Sequence, residues 1–484
     1  MTSNKPQHLN PLAILYFIFG HSWDAIFLII ISSGPIAHFS RYIGIAPLLG
    51  FAGLIVLIVL WHTVRYLYFT FEIDDKMLTI NSGILVKKHT HIPYPKIQTI
   101  QHTQWFFLVP FHLEKLQIET AGHDSTSPEA VLPLVNERIR EEIERKRMGD
   151  SGVAADQAEA TPEQKQSTDD AANYEIDPHE LNVFALTSLG VFPIIGALLA
   201  IYGKAQEAIP EKFINSVTNV IIHQSAIIIG IVGILIIILS IAGSYLLIIT
   251  RYYKFRLHSS NNQLKTEQGM FQRNSVTIPT ARIQALQIKQ NVIRQWCHIS
   301  TVQAVTASSA GDDEDDNDLM ILPVVKNNQV FKTLTPFVNW APKQFSQLES
   351  LNKRTYWYFI RNAALLSLIV ILPCLYFFHL WGSLSLLMLP IAILMGWYAG
   401  ANTGWKIIDG QLILQNGHFF SRSQYVIPHK NIQSFSFAQS IWMTHTKLAH
   451  IRVNIRHGDT NQEIEIRYLP EKTGKEIFNW LKIR

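Results

Sequence analysis

Cysteine and charge are both scarce in this sequence. Of 484 residues, only Cys297 and Cys374 are cysteines, and 16% are charged. Two cysteines far apart in the chain predict no disulfide framework, which fits a protein whose polar parts face a reducing compartment. The net charge of +4 is small, and basic residues form no stripe with interleaved aromatic rings, so we expect no nucleic-acid partner.

Motifs of the common enzyme classes are also lacking. The sequence contains no Walker loop, no Gly-x-Ser-x-Gly, no His-Glu-x-x-His and no dinucleotide-binding fingerprint. No pair of acid and base supports the alternative of an enzyme that acts on lipid. We therefore predict a protein without catalytic activity and without a cofactor.

Long apolar stretches, in contrast, are abundant. Hydrophobic residues make up 48% of the chain, and the mean hydropathy is +0.13. A helix needs roughly 20 apolar residues to cross a bilayer. Six segments approach that length, at about residues 12–32, 46–66, 184–203, 225–249, 359–379 and 383–400. Short linkers join them in pairs, so we predict three transmembrane hairpins, with the first segment a retained helix rather than a signal peptide.

Lysine and arginine are unevenly distributed around these hairpins. The loop inside the third hairpin has none, whereas Arg65 follows the first hairpin, Arg251, Lys254 and Arg256 follow the second, and Lys406 follows the third. Positive residues are retained on the cytoplasmic side of membranes. We therefore predict a multi-pass protein of the inner (cytoplasmic) cell membrane, with both termini and all three soluble repeats in the cytoplasm.

One motif occurs three times, each copy after a pair of apolar segments. Its glycine, proline and glutamine are Gly83, Pro93 and Gln98, then Gly269, Pro279 and Gln284, then Gly417, Pro428 and Gln433. The offset is 186 residues from copy one to copy two, and 149 from copy two to copy three, with one residue inserted after Gly417. A second glutamine, at positions 104, 290 and 439, keeps the same offsets. Constant offsets indicate one unit built three times.

Each copy is predicted to be a set of β-strands followed by one helix. Alternating runs such as residues 450–455 predict half-buried strands. A helix is expected after Leu132-Pro133, Leu322-Pro323 and Leu469-Pro470. Its apolar face is Ile139 and Ile143 in copy one, Val330, Phe331 and Leu334 in copy two, and Ile477, Phe478 and Leu481 in copy three. About seven strands that end in one helix match the pleckstrin-homology architecture.

Two apolar helices that lead into a Gly…Ile-Pro…Ile-Gln repeat resemble the bacterial PH-like membrane family (bPH2, formerly DUF304), and the triplication resembles its large multi-pass member. The resemblance implies an α+β membrane protein with six transmembrane helices as three hairpins, each followed by a cytoplasmic PH-like β-barrel or sandwich with a C-terminal helix. The expected domains are hairpin 1 (12–68), repeat 1 (69–147), a flexible polar linker (148–180), hairpin 2 (184–250), repeat 2 (251–340), hairpin 3 (355–400) and repeat 3 (401–484).

The motif residues themselves are interpreted as structural. Glycine supplies the positive φ of a turn, proline ends a strand where no ladder donor is needed, and the glutamines are expected to hydrogen-bond nearby backbone. Basic residues also recur at matched places, namely Lys87, Arg273 and Arg422 after the glycine and Lys96, Arg282 and Lys430 after the proline. Our hypothesis for them is contact with anionic lipid headgroups; the alternative is a solvated strand face.

Three further groups of polar residues are candidate sites. His89 and His91 have a spacing that a metal could use, but no thiolate or paired carboxylate completes a ligand set, so we predict no metal. The acidic run 312–318 lacks the pattern of a calcium loop and predicts a solvated hairpin tip. His21 and Asp24 lie within the first predicted span and form a candidate intramembrane polar site; the alternative is a hydrogen bond between helices.

These features favour a non-catalytic membrane scaffold over a transporter. Repeated modules would bind one another, a shorter single-repeat homologue or membrane lipids, and multivalency would strengthen weak contacts. We therefore expect a homo-oligomer or a complex with such a homologue. The family resemblance adds a role in envelope maintenance or in tolerance of membrane-active agents. A small-solute or lipid transporter, or a pore, formed by the six helices is the alternative.

Overall fold

The computed structural model describes residues 6–19, 47–84, 86–120, 128–148, 172–188, 196, 226–260, 262–307, 318–343, 347–418, 420–458 and 460–482. The chain divides into two compact units. Unit 1 comprises Met1–Asp169 and Gln272–Ile278, and unit 2 comprises Asp170–Phe271 and Pro279–Arg484. A seven-residue piece of the second repeat therefore belongs to the same unit as the first repeat.

Some of the described helices are long and apolar, and the others are shorter. They are α1 Ala13–Phe19, α2 Pro47–Leu67, α3 Glu137–Met148, α4 Pro178–Thr187, α5 Ala226–Arg251, α6 Val292–Trp296, α7 Val330–Leu334, α8 Tyr356–Gly382, α9 Met388–Ala401, α10 Ile441–Thr446 and α11 Glu471–Lys482. Among the residues that the structure describes, three stretches are long and apolar enough to cross a membrane, namely Gly233–Arg251, Lys353–Phe378 and Ser383–Ala401. The second predicted span coincides with α2, whereas most of the first and third spans lies outside the described residues.

Twenty-one strands are described. They are β1 Gln7–His8, β2 Thr70–Ile73, β3 Met77–Ser82, β4 Lys88–Pro93, β5 Ile97–Trp105, β6 Leu113–Thr120, β7 Ala130–Asn136, β8 Ala172–Glu175, β9 Arg256–Ser260, β10 Gln263–Gln268, β11 Gln272–Pro279, β12 Ile283–Asn291, β13 Ile299–Thr306, β14 Asp318–Lys326, β15 Glu349–Ser350, β16 Gly404–Ile408, β17 Gln411–His418, β18 Ser421–Pro428, β19 Ile432–Ala438, β20 Leu448–His457 and β21 Thr460–Pro470. All of the described pairings are antiparallel.

Unit 1 contains two groups of strands around one core. The strands β1–β2–β3–β4 form one sheet, and β7, β6, β5 and β11 lie side by side in the other. Leu78, Ile92, Ile100 and Leu116 are fully buried between them. Alternation of apolar and polar residues along each strand puts these side chains on one face. The helix α3 closes the core with Ile143, which is also fully buried, as the sequence predicts.

Unit 2 has the same construction around the third repeat. One sheet runs in the order β14–β13–β12–β18–β17–β16–β15, and a second sheet is β19–β20–β21. Leu412, Ile427 and Ile451 are fully buried in its core. The predicted helix faces are confirmed, because Val330, Phe331 and Leu334 of α7 and Ile477 and Leu481 of α11 are buried, while Phe478 is partly buried and packs on the same core. The strands β8, β9 and β10 also belong to this unit, with β9 paired to both β8 and β10.

The strands of one repeat are divided between two sheets, whereas the sequence suggests one sheet of about seven strands for each repeat. The chain leaves one sheet at the repeat proline and enters another after a single turn of 3-10 helix, at Tyr94–Lys96, Thr280–Arg282 and His429–Asn431. The strand that ends at the proline in one repeat then pairs with the strand that follows the proline in the repeat before it. These pairs are β11 with β5 and β18 with β12. The reason is that the proline lacks an N–H donor, so the ladder ends there and the chain changes sheets.

Candidate functional site: the junctions between repeats

The junction between repeats two and three is a continuous antiparallel ladder. Strand β12 pairs with β18 from Leu286 opposite Val426 to Asn291 opposite Ser421. Six of the nine residues of β12 are buried, and Val426 and Ile427 of β18 are completely buried. Main-chain hydrogen bonds and apolar burial therefore hold the two repeats together.

Polar side chains add specific bonds to this ladder. The guanidinium Nε of Arg422 donates to Oε1 of Gln290 over 2.6 Å, and Nε2 of Gln287 donates to the hydroxyl of Tyr425 over 2.7 Å. Burial lowers the pKa of Arg422 below its ordinary value, but an arginine stays charged. Because the donor is charged, this bond is stronger than one between two neutral groups.

The same junction occurs inside unit 1. Strand β5 pairs with β11, with Ile100 opposite Thr277 and Gln104 opposite Arg273. Moving these residues along by the repeat offsets converts them into the pairs Leu286 with Val426 and Gln290 with Arg422, which are the pairs seen in unit 2. Two junctions with one register show that the pairing is a property of the repeat, because a slip by one residue would reverse every side chain.

Gly269 and Gly417 lie where this half of the sheet meets the helix that precedes it. Gly83 and Gly269 have φ of +98° and +112°, a conformation that favours glycine. The amide of Gly269 donates to the carbonyl of Tyr253 over 3.0 Å, just beyond the end of α5. A Cβ on Gly417 would lie 3.0 Å from Cα of Ala399 in α9. These contacts support the structural interpretation of the motif glycines.

The other motif residues occupy equivalent positions in all three repeats. Pro93, Pro279 and Pro428 are the last residues of β4, β11 and β18, with φ of −63°, −66° and −63°. Of the motif glutamines, Gln98 is buried, Nε2 of Gln284 donates to the carbonyl of Arg282 over 3.3 Å, and Gln433 is exposed. The expected hydrogen bond from the motif glutamine to nearby backbone is therefore seen for Gln284 of repeat two.

Sequence reasoning missed the role of the second glutamine of the repeat. Nε2 of Gln104, Gln290 and Gln439 donates to the backbone carbonyl nine residues further along, over 3.3, 2.8 and 2.7 Å. Each of these glutamines thereby ties the end of one strand to the start of the next. The signal was available, because the three glutamines keep the repeat offsets.

The six basic residues proposed for lipid headgroups are not equivalent in the structure. Lys87, Lys96, Arg273 and Lys430 are exposed, whereas Arg282 is half-buried. Arg422 is engaged with Gln290 and also lies 3.4 Å from Oδ1 of Asn402. The headgroup hypothesis therefore remains a prediction that fits the four exposed residues better than the other two.

The remaining candidate sites are not brought together into a centre. His21 and Asp24 lie outside the described residues, as do residues 312–317 of the acidic run. The last acid of that run, Asp318, was expected to be solvated but is buried, with Oδ2 3.5 Å from Nζ of Lys289. Nδ1 of His89 lies 2.6 Å from Oδ1 of Asn81, and Nδ1 of His91 lies 3.0 Å from the hydroxyl of Thr79. Within the part of the chain that the structure describes, no group of three metal-ligating side chains occurs.

A cavity of about 810 Å³ lies between the third hairpin and the third repeat. Its walls are apolar residues of α8 and α9, such as Leu366 and Met395, and its floor carries Glu465 and Arg467 of β21. Although burial acts in the opposite direction, hydrogen bonds from Arg452 and Arg467 lower the pKa of Glu465 below its usual value. The floor is therefore ionised at neutral pH, and the cavity is apolar at one end and charged at the other.

The third hairpin that forms one wall is closely packed. A Cβ on Gly396 would lie 2.6 Å from Cα of Ile360, and a Cβ on Gly400 would lie 3.2 Å from Cα of Tyr356. Small residues spaced by four let two membrane helices approach closely. The Gly396-x-x-x-Gly400 pattern was visible in the sequence and could have predicted which helix faces meet.

Comparisons with known proteins agree with the triplication. A family model described as a bacterial PH domain (bPH_2) matches residues 26–147, 213–336 and 363–484. The chain is 28% identical to the UPF0699 transmembrane protein YdbT of Bacillus subtilis (strain 168) over 502 residues, which cover 99% of this chain and 98% of the relative. No solved structure matches. The family model matches three successive parts of the chain, so the three-fold repetition inferred from the sequence is confirmed.

Proposed function

This chain belongs to the bacterial PH domain family, and on that premise we propose that it is a non-catalytic membrane scaffold. Its three PH-like repeats are linked edge to edge by strand pairing into one array, and each repeat is anchored by its own apolar helices. The array is held at the cytoplasmic face of the inner membrane. There it binds protein partners, either itself or a shorter single-repeat homologue, together with anionic lipid.

The observation that carries this proposal is the identical register of the two junctions. The pairs Gln104 with Arg273 and Gln290 with Arg422 are equivalent in repeat numbering. A chain that served only as a set of helices would need no continuous sheet between its soluble repeats. Repeats joined in this way present several weak binding surfaces on one chain, and multivalent binding then becomes strong without any new contact.

The exposed apolar residues at the hairpin tips support attachment of the array to the bilayer surface. Val86, Phe271 and Phe420 follow the repeat glycines by two or three residues and are 81%, 51% and 50% exposed. In repeat two the amide of Met270 donates to the carbonyl of Thr250 in α5 over 2.9 Å, so this tip lies beside the end of a membrane helix. Aromatic and basic residues at such a depth contact headgroups.

Native mass spectrometry of the full-length protein, extracted with its own lipids, tests the scaffold. We expect a defined oligomer or a stoichiometric second protein, with anionic lipid retained. The variant Val426→Asp places a charge at a fully buried junction position and should abolish these complexes. Lys475→Ala, on the exposed face of α11, is the matched control and should leave them intact.

A monomer that carries a small solute, in both the native protein and Val426→Asp, would overturn the scaffold and favour transport. The physiological part of the proposal is tested separately in cells. Deletion of the gene should increase sensitivity to membrane-active agents, and expression of the native chain, but not of Val426→Asp, should restore tolerance. Equal restoration by both chains would show that tolerance of membrane-active agents does not depend on strand pairing between the repeats.

The cavity at the third hairpin favours one second candidate, the binding or transport of a lipid-like amphiphile. Its apolar walls suit acyl chains and its ionised floor suits a headgroup. Leu366→Trp fills the cavity, whereas Leu365→Trp alters the neighbouring residue, which does not line it. Quantitative lipid analysis of the purified variants should show fewer retained lipids for Leu366→Trp alone. Equal lipid content in both variants would exclude the cavity as the binding site.

A further inference from the structure

We propose that copies of this chain pair head to tail, with strand β4 of one copy adding to strand β19 of the next. The inference deepens the scaffold proposed above and rests on it. Within the described residues, β4 is the last strand of its sheet in unit 1, and β19 is the last strand of its sheet in unit 2. Each edge therefore presents unpaired main-chain donors and acceptors, which another strand can satisfy.

Burial shows that both edges lack a neighbour that their equivalents have. In β5 and β12, which occupy the position of β19 in repeats one and two, six of nine residues are buried, whereas no residue of β19 is buried. In β11 and β18, which occupy the position of β4, four of eight residues are buried, against one of six in β4. The sequence positions are the same, so the missing strand accounts for the difference.

The two described junctions fix the register of the third. Gln290 of repeat two corresponds to Gln439 of repeat three, and Arg422 of repeat three corresponds to Lys87 of repeat one. The pair Gln290 with Arg422 therefore predicts Gln439 opposite Lys87. The same step gives Ala438 opposite Lys88 and Phe435 opposite His91. Gln439 already holds the backbone carbonyl of Leu448 over 2.7 Å, as Gln290 holds that of Ile299 over 2.8 Å. In the proposed junction between copies, Lys87 of one copy donates to Oε1 of Gln439 of the next, as Arg422 donates to Oε1 of Gln290.

A second copy is the occupant because one chain carries both complementary edges. Pairing of two different surfaces is a heterologous contact, and it continues from copy to copy until it closes into a ring or extends as a filament. Each soluble repeat lies next to apolar helices of its own, and the two junctions inside the chain show that repeats anchored in this way can pair. The same geometry is therefore accessible to repeats on neighbouring chains in one membrane.

Disulfide trapping in native membranes tests this pairing. In a background of Cys297→Ser and Cys374→Ser, one tagged copy carries Lys88→Cys and a differently tagged copy carries Ala438→Cys. Residues directly opposite in an antiparallel pair have Cα atoms about 4.5–5.5 Å apart, which permits a disulfide. Mild oxidation should therefore link the two tags in one band at the mass of a dimer.

The off-register control replaces Ala438→Cys with Ser434→Cys, which lies four residues away on the same strand, or about 13 Å along it. We expect at least a ten-fold lower yield of the linked dimer. Equal yields from the two pairs would show collision rather than pairing and would overturn the proposal. No link from either pair would also overturn it.

An internal pair separates failure of this inference from failure of the scaffold. Asn274→Cys and Thr103→Cys in one chain occupy the equivalent positions of the junction in unit 1 and should form a disulfide within the monomer. If they do and the pair Lys88→Cys with Ala438→Cys does not, the array stands and head-to-tail pairing is refuted. If neither forms, the array itself is wrong.

The identity of the occupant is tested with one chain that carries both Lys88→Cys and Ala438→Cys. Oxidation should give a ladder of dimers and higher oligomers, because each copy offers one edge to each neighbour. A disulfide closed within the monomer would overturn a second copy as the occupant. So would a link from the cysteine introduced by Ala438→Cys to a shorter protein alone.

Discussion

The bond between Arg422 and Gln290 allows a quantitative test of the junction between repeats two and three. Its length of 2.6 Å from Nε to Oε1 and its charged donor place it among hydrogen bonds that contribute about 1.5–3 kcal/mol. Arg422 is only half-buried, so we expect a coupling energy near the lower end, about 1.5 kcal/mol. This corresponds to about a ten-fold change in the folding equilibrium constant.

A double-mutant cycle isolates this coupling. Arg422→Met keeps an unbranched stem of similar length and removes the donors, Gln290→Ala removes the acceptor, and the double variant completes the cycle. Gln290→Ala alone should cost more than the coupling, because Gln290 also donates to the carbonyl of Ile299 and to Oδ1 of Asn327. The measurement is the free energy of unfolding in mixed micelles, followed by tryptophan fluorescence.

The control cycle uses an ion pair away from the junction. Nζ of Lys265 lies 2.6 Å from Oε1 of Glu267, but both side chains are more than a third exposed, so their coupling should not exceed about 1 kcal/mol. A coupling below about 0.5 kcal/mol between Arg422 and Gln290, within the usual scatter of independent sites, would refute the view that this bond joins the repeats.

Two further variants test the hairpin and the third repeat. Gly396→Leu should destabilise by about 1–3 kcal/mol, because its Cβ would lie 2.6 Å from Cα of Ile360, whereas Gly233→Leu, with nothing within 4 Å, should leave the melting temperature nearly unchanged; equal melting temperatures would contradict the packing. Burial lowers the pKa of His450 below its ordinary 6.5, so the unfolded state takes up more protons, and stability falls as the pH drops below about 6.5 towards the folded-state pKa. His450→Gln should flatten this dependence in unfolding curves, and an unchanged slope would argue against it.

Much of the architecture was predictable because it depends on local patterns. The spans at 225–249, 359–379 and 383–400 correspond to α5, to α8 and to α9 with the turn before it, since long apolar runs have few alternatives to a membrane helix. The faces of α7 and α11 follow from helical periodicity. The partner of each strand was not predictable, because a strand such as β18 carries the same alternation whether it pairs within its own repeat or with β12.

The candidate site shows the same division. Gln290 and Arg422 stood out in the sequence by their offsets, but the offsets do not say that one lies opposite the other. The hypothesis of lipid headgroups included Arg422 because it is basic and recurs, and the structure places its guanidinium on Gln290. Pairing over 132 residues of chain is a long-range choice that no local window contains.

The sequence alone determined that this protein is one unit built three times and carried on apolar helices, because periodicity and hydropathy are properties of single segments. Only the tertiary structure decided that successive repeats share sheets. A proline that ends the ladder forces the chain to change sheets, and the strand on the far side is then completed by the neighbouring repeat. That choice leaves β4 and β19 as edges among the described strands, where main-chain groups can accept a further strand.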